Sequence, residues 1–221
     1  MSSFVEIPQS LYRQLTPVGD ERTDFYRSDS VIVRWLFWER LRKLEYLMKQ
    51  VDASGACFDF GGGSGVMLPT LAARFHYVCC VDLDAHLAEE IATKLSLPNV
   101  NIEERDVTLF DEYDKLIQYD TVVAADVLEH FFDMSVAVKA IKGRLKPDGM
   151  LFTSLPTETL LYGAIRLLIG KKKPMDHYHS AGQVEDFLRK EGFTRVLHTS
   201  IPAPVIAPLF SISAWRWNGK S

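Results

Sequence analysis

The sequence predicts an α/β protein: a doubly wound, mostly parallel seven-stranded sheet with a C-terminal antiparallel hairpin and an N-terminal helical lid. Strand-like and helix-like segments alternate from residue 56 onward, which is typical of a parallel sheet covered on both faces. The connection between the last two strands, residues 201–208, is too short for a helical crossover and indicates a hairpin. The chain has 221 residues, of which 47% are hydrophobic, so it is long enough to bury a conventional core.

The region before the first strand divides into an arm and a helix. Residues 1–29 are polar and contain Pro8 and Pro17, so we expect an irregular arm. An amphipathic helix is predicted from Ser30, because apolar residues recur at steps of three and four. These residues are Phe37, Leu41, Leu44, Met48 and Val51. We therefore separate an arm and lid helix, residues 1–52, from a single domain, residues 53–221.

Short apolar or alternating segments predict the seven strands. They are residues 56–60, 77–83, 99–103, 119–125, 150–155, 194–200 and 209–217. The fourth is apolar enough to be central, and the last two form the hairpin at a sheet edge.

Helices are expected between these strands. Asp84 is predicted to cap the helix after the second strand, and the proline and glycine within residues 146–149 predict a turn before the fifth strand. The other helices are expected at residues 65–75, 134–145 and 157–169, and after a capping box that runs from Ser180 to Gln183.

Charge argues against a nucleic-acid partner. The net charge is −4 and the pI is about 5.9, so the chain has no general attraction for phosphate backbones. The basic run at residues 171–173 is short and indicates a solvated loop.

The cysteines and the apolar segments predict a cytoplasmic protein. Cys57, Cys79 and Cys80 lie inside apolar strands and lack the spacing of a zinc site, so they read as core thiols in a reducing compartment. The N-terminus does not resemble a secretory signal. The apolar helix at residues 157–169 contains Arg166 and is shorter than the roughly 20 residues needed to cross a bilayer, so we expect no stable membrane insertion.

A glycine-rich turn is the strongest functional motif. The string CFDFGGGSG, residues 57–65, combines a buried strand, an acidic residue, glycines and a helix start. Glycines let a ligand approach the backbone, and the helix start offers unpaired N–H groups. The dinucleotide pattern G-x-G-x-x-G is not met, because its last position is Val66 when counted from Gly61 and Leu68 when counted from Gly63.

Two further carboxylates follow neighbouring strands. Asp82 ends the second strand about 20 residues after Gly61, where α/β nucleotide sites place a carboxylate for the ribose hydroxyls. Asp106 follows the third strand, where it could reach an adenine amino group. Either residue alone could be a cap or a turn residue. Together with the glycines they indicate one ligand crevice at the carboxyl ends of the strands.

With these motifs, the chain from about residue 56 to residue 217 resembles class I S-adenosylmethionine-dependent methyltransferases, whose fold is Rossmann-like. FDFGGGSG resembles the family's first motif, VVAADVLEH its fourth-strand motif, and LKPDGMLFTSLP its Pro-Gly turn and fifth strand. The Asp-Val-Leu-Glu-His string is similar to the small-molecule branch that includes ubiquinone-biosynthesis O-methyltransferases. Gly62 departs from the family, in which a Cys or another small residue is frequent.

The resemblance implies S-adenosylmethionine as cofactor and assigns residues to its parts. The methionine part would contact the first motif, the ribose Asp82, and the adenine Asp106. Asp126 would lie beside the methionine amino group and the sulfonium. The full implied set is Asp59, Gly61, Gly63, Gly65, Asp82, Leu83, Asp106, Val107 and Asp126.

His130, just after the fourth strand, is the candidate catalytic base for a hydroxyl or acidic-carbon acceptor. It could instead merely orient the following loop. Asp126, Glu129 and His130 could together ligate a divalent metal, although ligands from one short segment usually need another from elsewhere, and we assign no metal. His177 and His179 could also bind a metal, but a loop that anchors the lid is favoured.

The acceptor is expected to be a small apolar or aromatic molecule. Aromatic residues of the arm (Tyr12, Phe25, Tyr26) and the apolar residues 160–169 would face it, or would simply cover the sheet. An NAD(P)-dependent oxidoreductase and a catalytically inactive cofactor-binding partner subunit are the alternatives. The sequence leaves open whether the chain forms a homodimer.

Overall fold

A computed structural model describes residues 4–15, 21–109, 117–157, 178–201 and 208–219. The helices are α1 Gln9–Leu15, α2 Glu21–Arg27, α3 Val31–Gln50, α4 Leu68–Arg74, α5 His86–Lys94, α6 Met134–Arg144 and α7 Ala181–Lys190. The strands are β1 Ala56–Phe60, β2 Tyr77–Asp82, β3 Val100–Glu104, β4 Tyr119–Ala125, β5 Leu145–Pro156, β6 Phe193–Ile201 and β7 Phe210–Trp217. The lysines at 171–173, His177, and the predicted helix at 157–169 beyond Thr157 lie outside the described residues.

The seven strands form one sheet in the order β3-β2-β1-β4-β5-β7-β6. The first five in this order are mutually parallel, whereas β7 pairs antiparallel with both β5 and β6. The doubly wound sheet and its C-terminal antiparallel hairpin are therefore confirmed. The order reverses between β1 and β4, and the crevice beyond the carboxyl ends of these strands is where ligands bind in such sheets.

Helices cover both faces of the sheet. One hydrophobic cluster contains buried residues of α3, α4 and α5, and a second contains those of α6 and α7. All three cysteines are buried and free. Among the described residues, no helix is both long enough and apolar enough to span a membrane.

The arm is helical, so the expectation of an irregular segment is wrong. Helices α1 and α2 pack against α3 through an edge-to-face aromatic cluster of Tyr12, Tyr26 and Trp38. The Trp38 indole also donates to the Tyr26 carbonyl at 3.2 Å. Tertiary burial stabilises helices that are too short and too polar to be read from periodicity. Tyr12 and Tyr26 consequently belong to the core, and the partly buried Phe25 ring packs against it, stacked on Phe37 at 4.3 Å.

Three predicted helix and strand boundaries can be compared with the structure. Asp84 does not cap α5, since Ala85 is the N-cap residue and makes no side-chain bond. The predicted turn at residues 146–149 lies inside β5, as an irregularity in its pairing with β4, with Asp148 at φ +61°. The capping box is confirmed, because the Ser180 hydroxyl accepts from the Gln183 amide and the Gln183 side chain accepts from the Ser180 amide.

Gly65 joins the glycine turn to α4 where α5 passes close by. Its φ is +72°, and a Cβ there would lie 2.7 Å from the Ala88 Cα atom. We expect Gly65→Ala to lower the free energy of unfolding by about 2 kcal/mol or more, through backbone strain and overpacking. Urea denaturation measures this loss.

The matched control is Gly182→Ala, at a position with no atom within 4 Å of the new Cβ. It should be neutral or stabilise by up to about 1 kcal/mol, because alanine is the better helix former. Equal stabilities of the two variants would contradict the packing role of Gly65.

Candidate functional site

The glycine turn follows β1 and lies at the carboxyl edge of the sheet. Gly61 has φ +70°, and a Cβ there would lie 2.5 Å from the Val127 Cγ2 atom, so only glycine fits. Its amide donates to the Val81 carbonyl at 2.9 Å and holds the turn against the end of β2. Gly63 has φ +55° and no atom within 4 Å of its missing Cβ. The turn therefore presents bare backbone to open space at Gly63.

Asp82 is bonded to this turn. One carboxylate oxygen accepts from the Gly63 amide at 2.8 Å, and the other accepts from the Asp84 amide at 3.1 Å. Leu83, the next residue, is 73% exposed. The structure thus places an anionic group, bare glycine backbone and an exposed apolar side chain side by side.

Asp106 lies at the neighbouring strand end, after β3. The Arg105 amide donates to the Asp82 carbonyl at 2.9 Å, which ties the two strand ends together. Hydrogen bonds from the Thr108 hydroxyl and amide hold the pKa of Asp106 below its ordinary value, so this carboxylate is ionised at neutral pH. Val107 is only 6% exposed and packs in the core.

Asp59 is buried beneath the turn. Burial, together with the charge of Asp82, raises the pKa of its carboxyl to about 7, and the hydrogen bond with the Cys80 thiol opposes this rise. A Cβ on Gly62 would lie 2.6 Å from an Asp59 carboxylate oxygen and 2.4 Å from the Cys80 sulfur. The glycine at position 62, where the family often has a Cys, is thus matched to the packing of these two side chains.

Asp126 follows β4 with φ +54°, an uncommon conformation for a residue other than glycine. Its amide donates to the Ser154 carbonyl at 2.8 Å, and its side chain forms an ion pair with Arg40 of the lid helix. The Arg40 guanidinium also contacts the Ser154 hydroxyl at 3.4 Å. A cation from the lid is thus fixed at the carboxyl end of β4.

Aromatic rings surround the Arg40 guanidinium. The rings of Tyr26, Phe37 and Phe210 have centroids 5.3–5.5 Å from its central carbon, within the range of cation–π contacts. Sequence reasoning missed Arg40. The available clue was its position three residues after Phe37 and four before Leu44, within the buried stripe of α3.

The arm also contacts the glycine turn. The Tyr12 hydroxyl lies 3.5 Å from the Ser64 hydroxyl, and the Val5 amide donates to the Thr70 hydroxyl at 3.0 Å. The described part of the arm therefore contacts both the turn and helix α4.

His130 ends a short 3₁₀ turn, Leu128–His130, beyond β4. The Tyr178 amide donates to the Glu129 carbonyl at 2.9 Å, and the His179 ring contacts the Phe132 carbonyl at 3.2 Å. The Phe132 and Tyr178 rings meet edge to face and are 81% and 50% exposed. The segment that carries His130 is thus bonded to the segment of Tyr178 and His179, and two exposed aromatic rings meet where these segments join.

Metal ligation can be examined within the described ranges. In them, no group of three or more His, Cys, Asp or Glu side chains is arranged to hold a metal ion. Asp126, Glu129 and His130 therefore do not form a ligand set by themselves. Of the suggested pair His177 and His179, only His179 lies among the described residues.

The raised pKa of Asp59 predicts a pH-dependent stability. Between about pH 4 and pH 7 the folded chain holds this proton more tightly than the unfolded chain, so stability falls as the pH rises. Asp59→Asn removes this titration, so its own stability lacks this fall. The difference in free energy of unfolding, variant minus parent, should therefore increase from about pH 4 to pH 7 and then level off. Denaturation series at several pH values measure this difference.

The control is Asp133→Asn. Hydrogen bonds from the Ser135 hydroxyl and amide hold the pKa of Asp133 below its ordinary value, so its titration lies below this range. A relative stability of Asp59→Asn that is flat with pH would contradict the burial of a protonated carboxyl.

Comparison with known proteins identifies the family. Residues 32–200 match the family model described as a methyltransferase domain. A ubiquinone biosynthesis O-methyltransferase from Xanthomonas euvesicatoria is 28% identical over 119 residues, which are 53% of this chain and 50% of that protein. The chain thus spans about half the length of the curated relatives it matches.

Solved structures confirm the Rossmann-like fold. The N-methyltransferase NodS from Bradyrhizobium japonicum, in complex with S-adenosyl-L-homocysteine, has a TM-score of 0.67 and 20% identity, with 94% of this chain and 96% of that one covered. Magnesium protoporphyrin IX methyltransferase from Synechocystis, with the same compound bound, has a TM-score of 0.65 and 16% identity, with 95% and 99% covered. Given the match over residues 32–200, the chain belongs to the methyltransferase domain family, in agreement with the resemblance of its motifs to class I S-adenosylmethionine-dependent methyltransferases.

Proposed function

We propose that the protein transfers the methyl group of S-adenosylmethionine to a small organic acceptor. The single observation that carries this proposal is the bond between Asp82 and the Gly63 amide. It holds a carboxylate at the end of β2 beside glycine backbone open to a ligand, which suits a ribose diol and an adjoining chain. The family match and the neighbours crystallised with S-adenosyl-L-homocysteine support the same cofactor.

The described residues fit the other parts of this cofactor. Exposed Leu83 offers an apolar surface for the adenine, and ionised Asp106 offers an acceptor for its amino group. Asp126 would face the methionine amino group and the sulfonium, with Arg40 fixing the position of its carboxylate. When bound, the cofactor supplies a methyl group on a good leaving group. The chain's task is then to align the acceptor and exclude water.

The acceptor we propose is apolar or aromatic. The exposed Phe132 and Tyr178 rings, on the segments that flank His130 and precede α7, support this class, since such rings can stack on an aromatic molecule. The likeness to ubiquinone biosynthesis O-methyltransferases points the same way. For a hydroxyl acceptor, His130 would remove the proton as the methyl group arrives.

The setting we propose is the cytoplasm, without a nucleic-acid partner. Buried free thiols support a reducing compartment, and the net charge of −4 disfavours phosphate backbones.

Calorimetry tests the cofactor. S-adenosylmethionine and S-adenosyl-L-homocysteine should bind, and NADH should not. Asp82→Ala should weaken binding of both sulfur compounds by about 1.5–3 kcal/mol, because a hydrogen bond to a charged group is lost. Asp84→Ala, which removes the carboxylate two residues further along the chain, is the control and should change affinity little.

NADH binding without heat from S-adenosylmethionine would support the oxidoreductase alternative. An affinity of Asp82→Ala within twofold of the parent would refute the ribose role. Tight cofactor binding with no turnover on quinols, catechols, fatty acids or amines would support an inactive partner subunit.

His130→Ala tests the base. On a phenol or catechol acceptor, turnover should fall by roughly 100-fold or more while cofactor affinity stays nearly unchanged, because only proton removal is lost.

Two results would assign His130 differently. Activity that a chelator abolishes and a divalent ion restores would make it a metal ligand. Full activity of the variant, with an unchanged pH profile and no chelator effect, would leave it only the role of orienting the loop.

A further inference from the structure

A second cavity lies on the other side of β5, away from the cofactor crevice proposed above. Its volume is about 330 Å³, the lower end of the range for small-molecule sites. It lies between the start of α7 and the strands β6 and β7. Its walls include Ala181, Gly182 and Glu185 of α7, His198 and Ser200 of β6, and Ser211 of β7. Most of these carry polar groups, which is unusual beneath a helix that packs on a sheet.

The start of α7 presents two backbone donors to this cavity. The capping box uses the Ser180 and Gln183 amides, and the Val184 amide bonds to the Ser180 carbonyl. The Ala181 and Gly182 amides have no acceptor among the described residues, and both residues line the cavity. Adjacent N–H groups at a helix start, where the helix dipole is positive, favour an anionic group.

Ser200 gives an independent indication of a ligand. It is only 7% exposed and lines the cavity opposite the helix. In the described ranges its hydroxyl has no hydrogen-bond partner. Since Ser200 lines the cavity, its hydroxyl is free to bond to a polar group of a molecule held there.

The charges around the cavity cancel one another. The Glu185 carboxylate accepts from Arg195 at 2.7 Å and from the Ser211 hydroxyl, and Arg189 bridges Glu185 and Asp186. Two arginines thus balance two carboxylates. The partial positive charge at the start of α7 is then not offset by these side chains. A single negative charge on a ligand is therefore tolerated in the cavity.

His198 completes the polar wall. Burial and the charge of Arg195 lower its pKa, so the ring is neutral at neutral pH. Its Nε2 atom lies 3.2 Å from the Ser211 hydroxyl, which itself donates to Glu185. The ring nitrogen therefore donates to Ser211, which leaves Nδ1 as an acceptor for a hydroxyl group.

We propose that this cavity is a binding site for a small hydroxycarboxylate. Its carboxylate would accept from the Ala181 and Gly182 amides, and its hydroxyl would bond to the wall formed by Ser200 and His198. Two parallel N–H donors match the two oxygens of a carboxylate, and the cavity volume limits the ligand to a small molecule. This proposal does not depend on the methyl-transfer chemistry.

Titration of the full ¹⁵N-labelled chain with sodium lactate tests it, with sodium chloride at equal ionic strength as reference. The Ala181 and Gly182 amide signals should shift saturably with a dissociation constant in the millimolar range, as expected for so small a probe. Ala181→Pro removes one donor at the first helical position, where proline is tolerated, and Ser180 already has the extended conformation that proline requires before it. This variant and Ser200→Ala should each weaken lactate binding at least fivefold.

The control Thr199→Ala, at the neighbouring residue of β6 that does not line the cavity, should bind lactate as the parent does. Because Ala181 is buried, Ser200→Ala remains the decisive variant if Ala181→Pro unfolds the helix. Lactate affinity unchanged by Ser200→Ala, shifts equal to those in chloride, or shifts confined to residues 61–63 would each overturn the proposal. So would phosphate binding tighter than lactate. S-adenosylmethionine binding, measured on the same samples, should be unaffected, so failure here is distinguishable from failure of the proposed function.

Discussion

The ion pair between Arg40 and Asp126 connects the lid to the sheet. Arg40 belongs to the lid helix, Asp126 ends β4 in a left-handed conformation, and three aromatic rings enclose the guanidinium. Removing one partner of a buried pair typically costs about 3–5 kcal/mol, whereas strain at a residue such as Asp126 costs about 1–3 kcal/mol. The pair can therefore hold the strained turn in place. The position of the lid and the direction of the Asp126 carboxylate consequently depend on each other.

The buried Asp59 carboxyl constrains the glycine turn from the side of the core. Asp59 lies beneath the turn with a raised pKa, while Asp82 lies at its surface and accepts two backbone amides. Below about pH 7 Asp59 is mostly protonated and adds little negative charge next to Asp82. Gly62 makes this arrangement possible, because any side chain would collide with Asp59 and Cys80. Packing against the core, rather than contact with a ligand, thus restricts residue 62 to glycine.

Local patterns predicted the sheet well and the lid poorly. The bounds of β1 and β4 coincide with the predicted ones, because buried central strands are continuous apolar runs with clear ends. The helices of the arm were missed because tertiary contacts of Tyr12 and Tyr26 stabilise them, and no periodicity records such contacts. The site shows the same contrast between local patterns and tertiary contacts. The predicted topology correctly placed Asp82 beside Gly63. Arg40 was not found, since its partner lies more than 80 residues away in the chain.

The insertion of β7 between β5 and β6 affects how the sheet can assemble. Strand β5 pairs along residues 150–156 with a strand that begins at Phe210, so this edge stays open while the intervening chain is synthesised. An unpaired apolar strand edge is a template for association with other chains. The segment TSLP at the end of β5 is therefore most vulnerable to mispairing before the last strand emerges from the ribosome. Efficient expression would then depend on rapid delivery of the C-terminal strand as much as on the stability of the finished fold.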